Sequence, residues 1–124
     1  MQPGEDRGSG QSRPAKLLRI HIAESDRWDG QPLYEAIVAR CRALKIAGAT
    51  VLRGLEGYGE TADLHRARLM RHDQPIVVTI VDDEESIARL LPALEPMIDT
   101  GLIAISDVRA TRVQKQHGET AEKR

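Results

Sequence analysis

The chain has 124 residues, enough for one domain, and a formal net charge of −1, which gives no electrostatic pull toward bulk nucleic acid or an anionic membrane. With no Phe, one Trp and two Tyr, its core must be aliphatic. The single cysteine, Cys41, excludes an intrachain disulfide and a cysteine-based metal framework, and a reducing cytosol, hence a cytoplasmic protein, is the natural reading.

Residues 1–15 are Gly, Ser, Pro, Gln and charge; they lack the apolar surface to offset ordering entropy and are expected to be a disordered leader. They carry no apolar signal-peptide segment, and no run of about 18 apolar residues occurs anywhere, so no membrane span is expected. The first strand is predicted over Leu17–Ala23, where Leu18, Ile20 and Ile22 alternate with Arg19 and His21. A loop follows, Glu24 to Gly30, containing Trp28 and two carboxylates, Glu24 and Asp26, of a kind common in turns. Pro32 suits a first helical position, and Leu33, Ala36, Ile37, Cys41 and Leu44 make one apolar face of a first helix that Gly48 is expected to stop.

A second strand is predicted over Ala49–Arg53, followed by a glycine cluster at Gly54, Gly57 and Gly59. Residues 60–74 are polar and basic with no strand period. Pro75 opens a third strand, Ile76–Val81; Asp82 to Glu85 supply an acidic helix start, an Asp-led variant of the capping box. Ile87, Leu90, Leu91, Leu94 and Ile98 form the second helical face, and Pro92 and Pro96 predict a kink or an irregular last turn before Gly101. A last strand lies within Ile103–Val113, and residues 114–124 read as a second disordered tail. The folded unit is thus 16–113, in the order strand, helix, strand, strand, helix, strand: an α+β, ferredoxin-like βαββαβ plan with both helices on one face. Ile76, Val78 and Ile80 are expected to face the helices, which leaves Val77 and Val81 on the other side of the sheet. Burying that side against further copies is the simplest remedy, with an open-faced monomer as the alternative.

Several segments carry a resemblance. Gly48-Ala49-Thr50-Val51-Leu52-Arg53-Gly54-Leu55-Glu56-Gly57-Tyr58-Gly59 is similar to the end of helix one, the second strand and the loop base of PII signalling proteins, where a Gly-x-Thr-Val strand leads to Gly-Phe-Gly; here one extra residue lies between the two parts. Thr100-Gly101 and the basic strand Asp107–Val113 also resemble that family. Glu24-Ser25-Asp26-Arg27-Trp28, Pro32-Leu33-Tyr34-Glu35-Ala36-Ile37 and Ala47–Gly54 more closely resemble a PII-like bacterial family known as domain of unknown function one hundred and ninety. The resemblance covers residues 16–113 and implies a PII-like, ferredoxin-like homotrimer without a settled activity; a regulatory or sensor protein is the expectation, and no catalytic constellation points to an enzyme. By the same resemblance Thr50, the Gly57–Gly59 loop base and Arg112 fall where PII proteins hold ATP between subunits. A target protein is also implied, such as a membrane transporter or channel, engaged through the 60–74 loop.

The residues themselves suit such a role. Gly54, Gly57 and Gly59, with Tyr58 among them, permit the close backbone approach of an anion cradle; equally, they can shape a bulged strand and a turn. Thr50 offers a hydroxyl to a purine edge, and Arg112 a fork to a phosphate. PII proteins carry a glycine-rich, lysine-containing phosphate loop after helix two, whereas here Thr100-Gly101 runs straight into Leu102–Ile105. An adenine nucleotide with fewer phosphates, or another small anion, is therefore the expected effector, and no other cofactor is. In the loop, His65, Arg66, Arg68 and Arg71 make a basic surface, either a docking face for a target protein or a solvated stretch of charge. A second reading is a CutA-like, metal- or ion-linked trimer using His65 and His72; no compact metal-binding motif supports it. No nucleophile elbow, Walker loop or catalytic triad order is visible, and no nucleic-acid partner is expected.

Overall fold

In the computed structural model, residues 11–56 and 73–115 are described. Six strands and two α-helices occur among them in the order β1 (Gln11–Ala23), β2 (Arg27–Trp28), β3 (Gln31–Pro32), α1 (Leu33–Ala43), β4 (Thr50–Arg53), β5 (Pro75–Asp82), α2 (Glu84–Leu94), a 3-10 turn (Glu95–Met97) and β6 (Leu102–Arg112). β4, β5, β1 and β6 form one sheet in that spatial order, and all three pairings are antiparallel. β5 sits between β1 and β4, the two strands that α1 connects, which is the split-βαβ arrangement.

The core lies between one face of this sheet and the two helices. Leu18, Ile20 and Ile22 of β1 and Ile76, Val78 and Ile80 of β5 are buried, opposite Leu33, Ala36, Ile37 and Cys41 of α1 and Ile87, Leu90 and Leu94 of α2. The expected orientation of β5 is therefore what the structure has. Burial pushes the Cys41 thiol pKa up, away from the reactive thiolate, in keeping with a small core hydrophobe. Among the described residues no helix is long and apolar enough to cross a membrane.

The boundaries differ from expectation at informative places. β1 begins at Gln11, not Leu17, and takes in residues assigned by composition to the leader. Gln11 to Ala15 pair with Arg112 to Val108 of β6, so backbone hydrogen bonds order a stretch whose side chains, Ala15 apart, bury little. Pro32 is the residue before the first helical turn rather than in it, and the Leu33 amide donates to the Asp26 carbonyl (2.8 Å). α1 ends well before Gly48. Lys45 takes a left-handed conformation (φ 62°), its amide donates to Arg42 O, and the Ile46 amide donates back to Cys41 O. This is a Schellman ending with lysine where glycine is usual, held by burial of Ile46.

The loop after β1 contains a small hairpin, with Arg27 opposite Pro32 and Trp28 opposite Gln31. Asp29 and Gly30, both at positive φ, form its two-residue turn. At α2, Asp83 is the N-cap and accepts from the Ser86 amide (2.8 Å). Its partner at the third helical position is Ser86, so the capping box has only its Asp half. The irregular last turn predicted from the prolines is the 3-10 turn containing Pro96.

Candidate functional site

β4 and β6 are the two outer strands of the sheet. Thr50 lies at the start of β4, exposed, level with Thr79, Arg19 and Ala104 across the sheet. Gly54 follows the same strand, and its amide donates to Pro75 O (2.7 Å). A Cβ at Gly54 would stand 3.0 Å from Pro75 Cγ, so this glycine answers to the close approach of β5 and not to a left-handed backbone. Gly57, Tyr58 and Gly59, and the loop residues His65, Arg66, Arg68, Arg71 and His72, lie outside the described residues.

Arg112 ends β6, opposite Gln11. It lines an open groove of about 230 Å³ with Arg13, Thr111, Ala47, Asp82 and Asp83. Two guanidinium groups there face two carboxylates, and the charges of Arg13 and Arg89 help to lower the Asp83 pKa, behind the larger effect of its hydrogen bonds with Ser86. On ideal sheet dimensions Thr50 and Arg112 are roughly 30 Å apart, three strand spacings across and eight residues along. The structure thus brings Thr50 and Gly54 together and sets Arg112 at the far corner of the same sheet.

A second constellation surrounds Gly54. Arg53 Nη2 donates to Glu24 Oε2 at 2.7 Å, and this pair holds the Glu24 carboxyl below its ordinary pKa and raises that of Arg53. The Glu24 amide donates to Gln74 O (2.8 Å), and the Gln74 amide reaches Glu24 Oε1 (3.4 Å). Turned to its better-satisfied orientation, the Gln74 side-chain amide donates to Gly54 O and Leu55 O. Asp73 is the one buried charged residue among those described. It accepts from Ser25 N (2.8 Å) and Ser25 Oγ (2.6 Å), while Asp26 turns back to accept from the Ala23 amide (2.9 Å). Residues 24–25 therefore tie together both flanks of the 57–72 segment. Among the described residues no group of three or more His, Cys, Asp or Glu is arranged to hold a metal ion.

The family model for DUF190, "uncharacterized ACR, COG1993", matches residues 15–110. The chain belongs to the DUF190 family. It is 38% identical over 95 residues to a UPF0166 protein of Aquifex aeolicus, covering 75% of this chain and 90% of that one. A UPF0166 protein of Methanocaldococcus jannaschii is 37% identical over 98 residues, covering 75% and 88%. Among solved structures, CPII of Thiomonas intermedia K12, a nitrogen regulatory PII-like protein bound to ADP, AMP and bicarbonate, superposes with a TM-score of 0.59 at 20% identity, covering 82% of this chain and 96% of that one. The fold is PII-like.

In this DUF190 chain β6 starts at Leu102, directly after Gly101, and residues 95–101 between α2 and β6 contain no lysine and a single glycine. Gly101 does not end α2, which stops at Leu94 and passes into the 3-10 turn Glu95–Met97; a Cβ there would meet His21 O at 2.8 Å, so this glycine is required by backbone approach just before β6. The Glu24–Arg53 and Ser25–Asp73 contacts were not singled out from sequence. Their one signal was Glu24-Ser25-Asp26 itself, which resembles the family's segment after strand one.

Proposed function

We propose that the protein is a PII-like regulatory protein, a cytoplasmic homotrimer that binds a small anionic effector, an adenine nucleotide, at clefts between subunits and signals to a target protein through residues 60–74. The observation that carries this reading is the placement of Thr50 and Gly54 on one outer strand and Arg112 on the other. A small molecule cannot reach both on one chain; it can where the β4 edge of one copy meets the β6 edge of the next. The sheet face turned away from the helices supports the assembly. Leu52, Val77, His21 and Leu102 stand in one row across all four strands, and Leu52 and Leu102 are more than half exposed, an apolar row that neighbouring copies would cover. The fold shared with a protein that holds ADP, AMP and bicarbonate supports the class of effector. The lack of a lysine in the α2–β6 junction, residues 95–101, favours a mono- or diphosphate over a triphosphate.

Calorimetry with AMP, ADP, ATP and cyclic AMP tests it. Binding of at least one, abolished by Arg112→Gln and with one site per chain in a trimer, is expected. No binding to any of them at millimolar concentration sinks the nucleotide reading.

A further inference from the structure

Arg53 stands between Thr50 and Gly54, the two candidate effector residues that the fold does bring together, and neither sequence pattern nor family resemblance gave it a role. Its contact with Glu24 is single: Nη2 alone meets Oε2 at 2.7 Å, and no second hydrogen bond from this guanidinium to a described residue is made. A guanidinium and a carboxylate free to choose commonly adopt the two-pronged arrangement, so part of the Arg53 fork is left for another acceptor. Both side chains are accessible, at 54% for Arg53 and 31% for Glu24. The phenol of Tyr34 lies within electrostatic reach of the same guanidinium.

We propose that Arg53 is an oxyanion-binding residue held in reserve by Glu24, whose carboxylate occupies the place that a phosphate, carboxylate or bicarbonate group takes when the effector binds. This rests on the reading of the chain as an effector-binding protein and adds the residue that meets the effector's charge and the internal group that competes for it. An accessible ion pair of this kind is weak, so releasing Arg53 reduces effector affinity by no more than about fivefold. Glu24 does not become stranded when Arg53 leaves. It is accessible to water, and its backbone amide remains bonded to Gln74 O. The Ser25–Asp73 contacts, with Asp73 buried, stay in place as the fixed half of the tie between the two flanks. Exchange at Arg53 is thus the part of this tie that an anion can alter. It loosens the hold of residue 24 on β4 while residue 25 keeps its hold on Asp73.

The test uses the full chain, with ADP, adenosine, inorganic phosphate and bicarbonate as separate probes in calorimetry, and the Arg53 Nε–H resonance followed by NMR. Glu24→Gln removes the competing charge and should tighten ADP about fivefold. Arg53→Gln should weaken it tenfold or more, Arg53→Lys should recover part of that loss, and Glu24→Gln should give no gain once Arg53→Gln is present. The Arg53 resonance should move on adding the bound anion and not on adding adenosine. ADP binding with no response to phosphate or bicarbonate assigns the anion to a nucleotide; a response to either free anion assigns it there. If the native chain binds ADP and Glu24→Gln leaves affinity unchanged or weakens it, the pair is a structural strut: this inference falls and the proposed function stands. If no nucleotide binds either chain, the proposed function falls, and the Arg53 resonance under phosphate or bicarbonate then decides alone. A shift that is larger in Glu24→Gln supports the reserve role, and none at millimolar anion overturns it.

Discussion

The two faces of β5 differ sharply in exposure. Ile76, Val78 and Ile80 on one face are essentially sealed from solvent, at 1%, 0% and 1% exposure. Val77 and Thr79 on the other are half-covered and Val81 is exposed. Both faces carry β-branched residues, so strand propensity does not separate them. What separates them is that two helices cover the first, and no described element covers the second. An apolar side chain on the first face is explained by the monomer. One on the second face, in the row Leu52, Val77, His21 and Leu102, is not explained by any described helix.

That contrast can be broken by one charge placed on either face. Val78→Asp buries a carboxylate among Ile20, Leu90 and their neighbours with no cation to pair it, and should cost about 3–5 kcal/mol or more of folding stability. Urea denaturation should find the chain unfolded or nearly so. Val77→Asp sits one residue away and points to the other side. The monomer should keep its fold, because water still reaches that face, while a trimer that buries it should lose roughly 3 kcal/mol or more per subunit and dissociate. Light scattering and circular dichroism together separate the two outcomes. A folded, unchanged trimer in Val77→Asp would show that the open face is not the interface.

The helix-facing half of this comparison was legible in the sequence, and so was the chain order. Period-two burial in β1 and β5 and the helical spacing of Leu33, Ala36, Ile37 and Cys41, and of Ile87, Leu90 and Leu94, all follow from one covered face. Elements that bury little left no such trace. Residues 11–15 join β1 because β6 is long enough to pair with them, a fact about residues nearly a hundred positions away. The stop at Lys45 depends on Ile46 finding the core, not on a glycine in the chain. The Asp29-Gly30 pair is itself a hairpin-turn signal, within the Glu24–Gly30 segment that composition marks as a loop. Of the candidate site, Thr50, Gly54 and Arg112 could be chosen by residue type and resemblance. Their separation to opposite edges, and the ties from Glu24 to Arg53 and from Ser25 to Asp73, across 29 and 48 residues, are properties of topology that local pattern does not carry.

A smaller change should affect both faces together. Gly101 closes the helical layer against β1, and a Cβ there would lie 2.8 Å from His21 O, 3.0 Å from Ile98 Cγ2 and 3.2 Å from Ile22 Cγ2. The methyls can shift, but the carbonyl belongs to the central strand. Gly101→Ala should therefore cost about 1–3 kcal/mol and move β1 slightly at the residue whose side chain sits in the open-face row. Thermal denaturation should show the loss of stability, and assembly should weaken with it, unlike Val78→Asp or Val77→Asp, each of which acts first on one face. Unchanged stability would mean that β1 and the segment at Gly101 separate more readily than their contacts suggest.

The smallest expected effect follows from the start of α2. Asp83 accepts from the Ser86 amide, and that bond, helped by the Ser86 side chain and by Arg13 and Arg89, lowers its carboxyl pKa below the ordinary value. A folded-state pKa below the unfolded one means that the ionised cap favours the folded chain. Its contribution is complete above the ordinary carboxylate range, near pH 4, and is lost as pH falls through the lower, folded value. Asp83→Ala should lower the urea midpoint at pH 7 by a fraction of a molar. The gap between native and variant midpoints should shrink as pH drops below about 4, because the protonated native cap no longer offers a charged acceptor to the helix start. A gap that stays constant down to pH 3 would show that the cap acts through its neutral hydrogen bond alone. A gap that widens with acid would overturn the assignment of Asp83 as the lowered group.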